Sequence, residues 1–133
     1  MILVDTSVWI NYFNGVVSKQ TDTLDRLLSE ETVLLGDIIL AEILQRFDSD
    51  KEFNQAKEAL DSVVCVHLGG KPLAVKAASN FRLLRSKGIT IRKTVDMLIG
   101  SWCIEHNVML LHNDKDFDRV ARELPLQIYD GGK

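Results

Sequence analysis

Five carboxylates stand where apolar runs give way to polar residues. Asp5 follows directly on Ile2-Leu3-Val4, and Asp114 follows Val108-Met109-Leu110-Leu111 after His112 and Asn113. A short apolar run is the pattern of a strand buried on both faces, and open parallel sheets bind ligands at the carboxyl ends of such strands. If the two runs are parallel, Asp5 and Asp114 share one edge. Asp116 lies in the same turn as Asp114, and Asp96 falls in the first turn of a helix opening near Thr94, where it meets the positive end of the dipole. Glu42 sits among Ile39, Leu40, Ile43 and Leu44, where an apolar or neutral residue is expected. Carboxylates gathered at one edge repel and raise each other's pKa unless cations neutralise them. Oxygen ligands without His or Cys select a hard cation, Mg²⁺ or Mn²⁺. Such an ion activates water and stabilises charge on a phosphodiester, so metal-assisted phosphodiester hydrolysis is the chemistry expected. Each residue also has a plainer role: Asp5 and Asp114 as helix caps, Asp96 as a surface charge at a helix start, Glu42 on a narrow solvated stripe.

The elements that must position these groups alternate along the chain. Strands are expected at residues 2–4, 32–35, 63–68 and 108–111, with a last one at 126–129. Thr6 or Ser7 can cap a helix to about Phe13, ended by Asn14-Gly15. Further helices are expected over 21–30, from Ile38 to about Phe47, from Ser49 or Asp50 through Phe53, Ala56 and Leu60, and from Pro72, with Ala74, Ala77, Ala78, Phe81 and Leu84 as its apolar face. Gly88 suits that helix's end. Thr94 is placed to cap a helix running to about His106, and a short helix covers about 117–122. Strands alternating with helices argue for an α/β domain whose mostly parallel sheet is covered on both faces.

The chain has 133 residues, the length of one domain, which is expected to span 1–133. With 46% hydrophobic and 26% charged residues, the composition excludes a disordered or fibrous chain. No apolar run approaches a membrane span, and the N-terminus has no export signal, so a cytoplasmic protein with no membrane contact is expected. Cys65 and Cys103 are read as reduced core thiols. The Gly-Gly-Lys tail is expected to fray. Net charge is −3, but residues 62–95 contain no acid. Lys71, Lys76, Arg82, Arg85, Lys87, Arg92 and Lys93 fall in that stretch, leaving nine basic against nineteen acidic residues elsewhere. Such a block attracts a polyanion locally while the whole stays acidic; the plainer reading is a solvated helix face.

Taken in order, Ile2-Leu3-Val4-Asp5-Thr6-Ser7-Val8-Trp9-Ile10 resembles the opening of PIN-domain proteins, in which a first strand ends in Asp followed by Thr or Ser. Ala41-Glu42-Ile43-Leu44-Gln45 is similar to their second acidic motif, Thr94-Val95-Asp96-Met97-Leu98-Ile99 to the third, and Leu110-Leu111-His112-Asn113-Asp114-Lys115-Asp116-Phe117 to the fourth. Order and spacing agree across nearly the whole chain, and the length agrees with VapC-type toxins of toxin–antitoxin modules. The resemblance implies a PIN-like three-layer α/β sandwich and a Mg²⁺-dependent endoribonuclease acting on structured RNA such as tRNA or rRNA. It also implies a homodimer and inhibition by a VapB-type antitoxin. Carried over, Asp5 and Asp96 are the first metal ligands, Glu42 and Asp114 complete the acidic quartet, and Asp116 is a fifth member. Ser7 or Thr6 positions Asp5 or a water. Arg82, Arg85, Lys87, Arg92 and Lys93 would then receive the RNA.

His112 stands where the family often has Thr or Ser; it is read as an orienter or a packed residue. Arg46, one turn after Glu42, pairs with it or touches phosphate. Trp9 and Phe13 are read as core or subunit contact rather than base-stacking platforms, and His67 and His106 receive no role. Haloacid-dehalogenase-type phosphatases also use an Asp after the first strand, but need an acid two residues on, where this chain has Ser7. A catalytically inactive PIN-like scaffold that binds RNA or protein is the alternative of a different class.

Overall fold

Ile2–Val4 forms β1, with all three residues buried. In the computed structural model, which describes residues 1–131, the chain continues through α1 (Thr6–Phe13), α2 (Lys19–Ser29), β2 (Val33–Gly36), α3 (Asp37–Leu44) and α4 (Asp50–Leu60). It then forms β3 (Val64–Val66), α5 (Lys71–Ser86), α6 (Thr94–His106), β4 (Met109–Leu111) and α7 (Lys115–Glu123). Gly132 and Lys133, in the tail expected to fray, lie outside the described residues.

The sheet has the order β3-β2-β1-β4 and every pairing is parallel. β1 pairs with β2 on one side and β4 on the other, so the connections reverse direction at β1. Right-handed crossovers then place the helices on opposite faces. α1 packs on α2 and α3, and α3 on α4; α5 packs on α6, and α6 on α7. Leu3, Val4, Val8, Leu24, Leu35, Ile39, Leu68, Leu84, Ile99, Leu110 and Phe117 lie in one contiguous core. The expected sandwich is therefore the observed one, and the reversal at β1 marks where a ligand site belongs.

Four local expectations are corrected. Residues 126–129 form no strand: they meet β4 through one parallel bridge, Leu110 to Ile128. The ladder is not extended backwards because Val108 N–H, its next donor, is given to Cys103 O at 3.0 Å. β3 is not a buried strand. It is the sheet edge, Val64 is 56% exposed, and Cys65 is an exposed thiol rather than a core one. An apolar run does not reveal whether its strand is central or at an edge. Ala74 and Ala78 are exposed, because α5 turns Leu73, Ala77, Asn80 and Leu84 inward. Asn80 is tolerated there because its Nδ2 donates to Ser101 Oγ at 2.9 Å. Finally, α7 starts at Lys115, earlier than expected, because Asp114 caps it.

Gly36 ends β2 directly against the buried Leu68. A Cβ at Gly36 would collide with Leu68 Cδ1 and lie 2.8 Å from its Cγ. Leu68 is 0% exposed, so any shift to clear the new Cβ must disturb the core around it. Gly36→Ala is expected to destabilise the fold by about 1–3 kcal/mol, read as a lower urea midpoint at unchanged m-value.

Candidate active site

The register Val4↔Leu111 brings the ends of β1 and β4 side by side, and Asp5 N–H donates to Leu111 O at 2.9 Å. Asp5 and the turn after β4 are thus fixed to the same edge by backbone pairing. Asp5 is the N-cap of α1: its Oδ2 accepts from Ser7 N at 3.2 Å and from Ser7 Oγ at 2.6 Å. The Ser7 hydroxyl in turn accepts from Asn113 N at 3.2 Å, tying the α1 turn to the β4–α7 turn. Thr6 does not cap α1, because its hydroxyl donates to Glu42 Oε1 at 2.7 Å. That bond settles the odd position of Glu42: the carboxylate is half-buried on α3 and held from α1.

Asp114 caps α7 in the same way, accepting from Asp116 N at 3.0 Å. Both plain capping roles are therefore real, and both carboxylates face the site as well. One cleft of about 250 Å³ is lined by Asp5, Thr6, Ser7, Glu42, Arg46, Lys93, Asp96 and Asp114, together with Ile10 and Gln45. His112 orients the turn. Its Nδ1 accepts from Asp114 N at 3.0 Å, which leaves Nε2 to donate to Asp118 Oδ1 at 3.2 Å.

Asp96 is the carboxylate with an oxygen left unpartnered. It is buried in the first turn of α6, and its Oδ2 has no hydrogen-bond partner among the described residues. Burial, then Asp5, then Asp114 push its pKa up to about 7, and only Lys93 opposes this appreciably. Burial also raises Asp5, against the bonds from Ser7. Oxygens of Asp96, Asp114 and Asp116 lie within 4.8 Å of one another. An all-oxygen set with one buried, orphaned oxygen is chemically suited to a hard divalent cation, which would supply the missing partner and offset the repulsion.

Asp116 has a second set of partners. Arg119 approaches its Oδ1 at 3.3 Å and Arg92 its Oδ2 at 3.9 Å. Arg119, at i+3 from Asp116, was not singled out from the sequence, although helical spacing alone would have found it. It also donates to Thr90 O at 3.4 Å, which secures the loop carrying Arg92 and Lys93. The basic block is divided. Arg92 and Lys93 reach the acidic edge, but Lys87 pairs with Glu123 at 3.1 Å, Lys76 with Glu105 at 3.7 Å, and Arg85 lies over Phe81. Arg82 lines a separate apolar groove between α5 and α6. Arg46 lines the acid cleft without an ion pair to Glu42.

Trp9 is fully buried and stacks on Phe13, so it belongs to the core. Cys103 is buried, and burial together with Asp5 pushes its thiol up to about 12. His67 has a partner that the sequence did not reveal, Asp37 Oδ2 at 2.8 Å, and His106 stacks on Trp102.

The PIN domain family model matches residues 2–123. A VapC ribonuclease of Mycobacterium bovis is 33% identical over 129 residues, covering 96% of this chain and 96% of that protein. Ribonuclease VapC11 of Mycobacterium tuberculosis matches with the same identity and coverage. Among solved structures, VapBC2 of Rickettsia felis bound to a promoter DNA fragment superposes with a TM-score of 0.74 at 22% identity, covering 97% of this chain and 98% of that one. VapC20 of Mycobacterium tuberculosis, a toxin that cleaves the sarcin–ricin loop, superposes with a TM-score of 0.66 at 21% identity, covering 93% and 96%. At these identities the structural matches speak to the fold.

The raised pKa of Asp96 makes stability depend on pH in a defined direction. Its folded value lies above the ordinary 3.8, so the native state holds a proton that the unfolded state releases. In EDTA, this group's contribution should fall as pH rises from about 4 to about 7 and stay low above that. Asp96→Asn is expected to raise the melting temperature at pH 8 by about 4 °C or more and to change it little at pH 4. Equal shifts at both values would show that the carboxylate is not strained. Ser7→Ala removes the hydroxyl shared by Asp5 and Asn113 N and should cost about 1–2 kcal/mol in denaturant unfolding.

Proposed function

The chain belongs to the PIN-domain family, and from that premise we propose that it is a metal-dependent endoribonuclease, the toxin of a VapBC-type toxin–antitoxin module. The observation that carries the reading is the buried, partnerless oxygen of Asp96 beside Asp5, Asp114 and Asp116. The relatives at 33% identity, named as ribonucleases of the VapC group and matched over nearly their full length, support it. One PIN-like domain spanning 1–133 carries the activity, on structured RNA of the tRNA or rRNA kind.

Asp5, Asp96, Asp114 and Asp116 are the residues that would hold Mg²⁺, with Mn²⁺ as a substitute. Bound there, such an ion would supply Lewis acidity toward a phosphodiester and a more acidic water. The chain supplies position. Ser7 fixes the Asp5 carboxylate against the β4–α7 turn, and Thr6 fixes Glu42 so that its other oxygen orients the attacking water. Lys93, Arg92 and Arg46, at or beside the acidic edge, take the RNA phosphates. A like-charged edge would otherwise repel the substrate, so these cations are needed for binding as well as for charge stabilisation.

Antitoxin and dimer follow from the same membership. An apolar cleft of about 380 Å³ between α5 and α6, lined by Ala74, Ala77, Ala78, Phe81, Met97 and Leu98 among others, is a surface suited to a second copy or an antitoxin helix. No helix among the described residues is long and apolar enough to cross a membrane, and the two cysteines are free. We place the protein in the cytoplasm.

Purified, antitoxin-free protein incubated with total bacterial RNA should yield discrete fragments in Mg²⁺ or Mn²⁺ and none in EDTA. Asp96→Asn should lower cleavage by about a hundredfold or more while retaining RNA binding, because the cations remain. Absence of fragments from the folded protein in either metal, with RNA from several bacteria, would instead favour a binding scaffold.

A further inference from the structure

A second cleft, of about 340 Å³, opens on the other side of Asp114. It lies between the start of α2, the β4–α7 turn and the segment after α7. Asp114 lines both clefts, so anything in the second touches the acidic edge. We infer that this cleft seats one nucleoside of the RNA, next to the phosphate that is cut, with Tyr129 and Gln20 setting which base is accepted. The inference rests on the ribonuclease reading and assigns its substrate a specific contact.

Four observations carry it. The volume falls in the range of small-ligand sites, about 300–1,000 Å³. Leu111 and Ile128 give it apolar lining, and Tyr129, an aromatic residue, lines it beside them. A nucleobase needs such surroundings, since every base presents a π-face to an aromatic or apolar wall. Gln20 and Asn113, whose amides each have donors and an acceptor, are also in the lining. Charge is mixed rather than basic: Lys19 and Lys115 are set against Asp114, Asp118 and Asp130. A free phosphate would find that mixture unfavourable, whereas a base edge and a ribose carry both donors and acceptors.

The cleft is also built to keep its shape. Tyr129 N–H donates to Leu110 O at 2.8 Å, which joins the post-α7 segment to the central sheet. The Tyr129 hydroxyl accepts from Arg26 at 3.0 Å, and Arg26 is itself held by both oxygens of Glu30 and by Gly131 O. The backbone of Tyr129 is thus held at the sheet and its hydroxyl at Arg26 before a ligand arrives, which lowers the cost of ordering on binding. Residues 126–129 add no full strand to the sheet; supplying this wall is the work the geometry gives them.

Two measurements test the inference, on the wild type and on Tyr129→Leu, Tyr129→Phe and Gln20→Ala, each checked for folding by thermal melting. The first maps the cut sites in total RNA. It then measures kcat and KM on short RNAs carrying each of the four bases at the positions flanking the cut. Wild type should prefer one base at one flanking position by about tenfold or more. Tyr129→Leu and Gln20→Ala should lose that preference and raise KM by about ten- to a hundredfold, with kcat little changed. Tyr129→Phe, which keeps the ring, should keep the preference. The second titrates the four 5′-mononucleotides against metal-free protein and follows amide NMR shifts, which should move at residues 111–115 and 128–130 and fail to move in Tyr129→Leu. Cleavage that keeps its preference and KM in both Tyr129→Leu and Gln20→Ala, or no mononucleotide shifting those amides, overturns the inference. Shifts at those amides without any RNA cleavage by wild type would leave the cleft standing and remove the ribonuclease reading.

Discussion

Asp5, Asp96 and Asp114 are held within mutual electrostatic reach at the carboxyl edge of β1 and β4, and the surrounding structure is organised around that repulsion. Two of the three are stabilised by local donors: Asp5 by the backbone and hydroxyl of Ser7, Asp114 by the backbone of Asp116. Asp96 has an oxygen with no such donor and carries the accumulated cost as a raised pKa. Burial raises Asp5 as well, against the bonds from Ser7, so the cost falls on two side chains while the helices that carry them are regular. A site built this way favours a cation strongly at one point and stays ordered elsewhere. The parallel pairing of β1 with β4 is what makes the proximity unavoidable.

Much of this was legible in the residues. Apolar runs ending in Asp5 and near Asp114 gave parallel strands, and parallel strands gave a shared edge. Glu42 stands out in its apolar helix, but the spacing offers Arg46 as its partner where the structure supplies Thr6. The rest was hidden for physical reasons. Whether an apolar strand lies at the centre or the edge depends on tertiary order, so Cys65 could not be told from Cys103. Helix faces built of alanine have little directional signal, so the spacing turns Ala74 and Ala78 inward where the fold turns Leu73 and Asn80. Partners distant in sequence, such as Asp37 with His67 or Arg26 with Tyr129, leave no local trace.

The basic stretch shows a different limit. Its charge excess is real in sequence, but charge on a helix radiates in several directions once the helix is packed. Only the loop leading into α6 brings cations to the acids, and it is held there by Arg119 through Asp116 and Thr90 O. Lys76 and Lys87 answer carboxylates on α6 and α7 instead. Net charge of a segment therefore overstates the polyanion surface, and the anchoring of one short loop decides how much of it serves the site.

The caps have a consequence for how the protein comes into being. Asp5 and Asp114 sit at the amino ends of α1 and α7, and Asp96 in the first turn of α6, so three helices turn their positive poles toward the acidic edge. These fixed dipoles provide counter-charge from within the chain as soon as the helices form. Folding would then not wait for a cation at this edge, unlike small zinc domains in which the metal is the nucleus of the structure. A chain of this design can complete its fold with the acidic edge empty, and a cation entering or leaving that edge would leave the architecture in place.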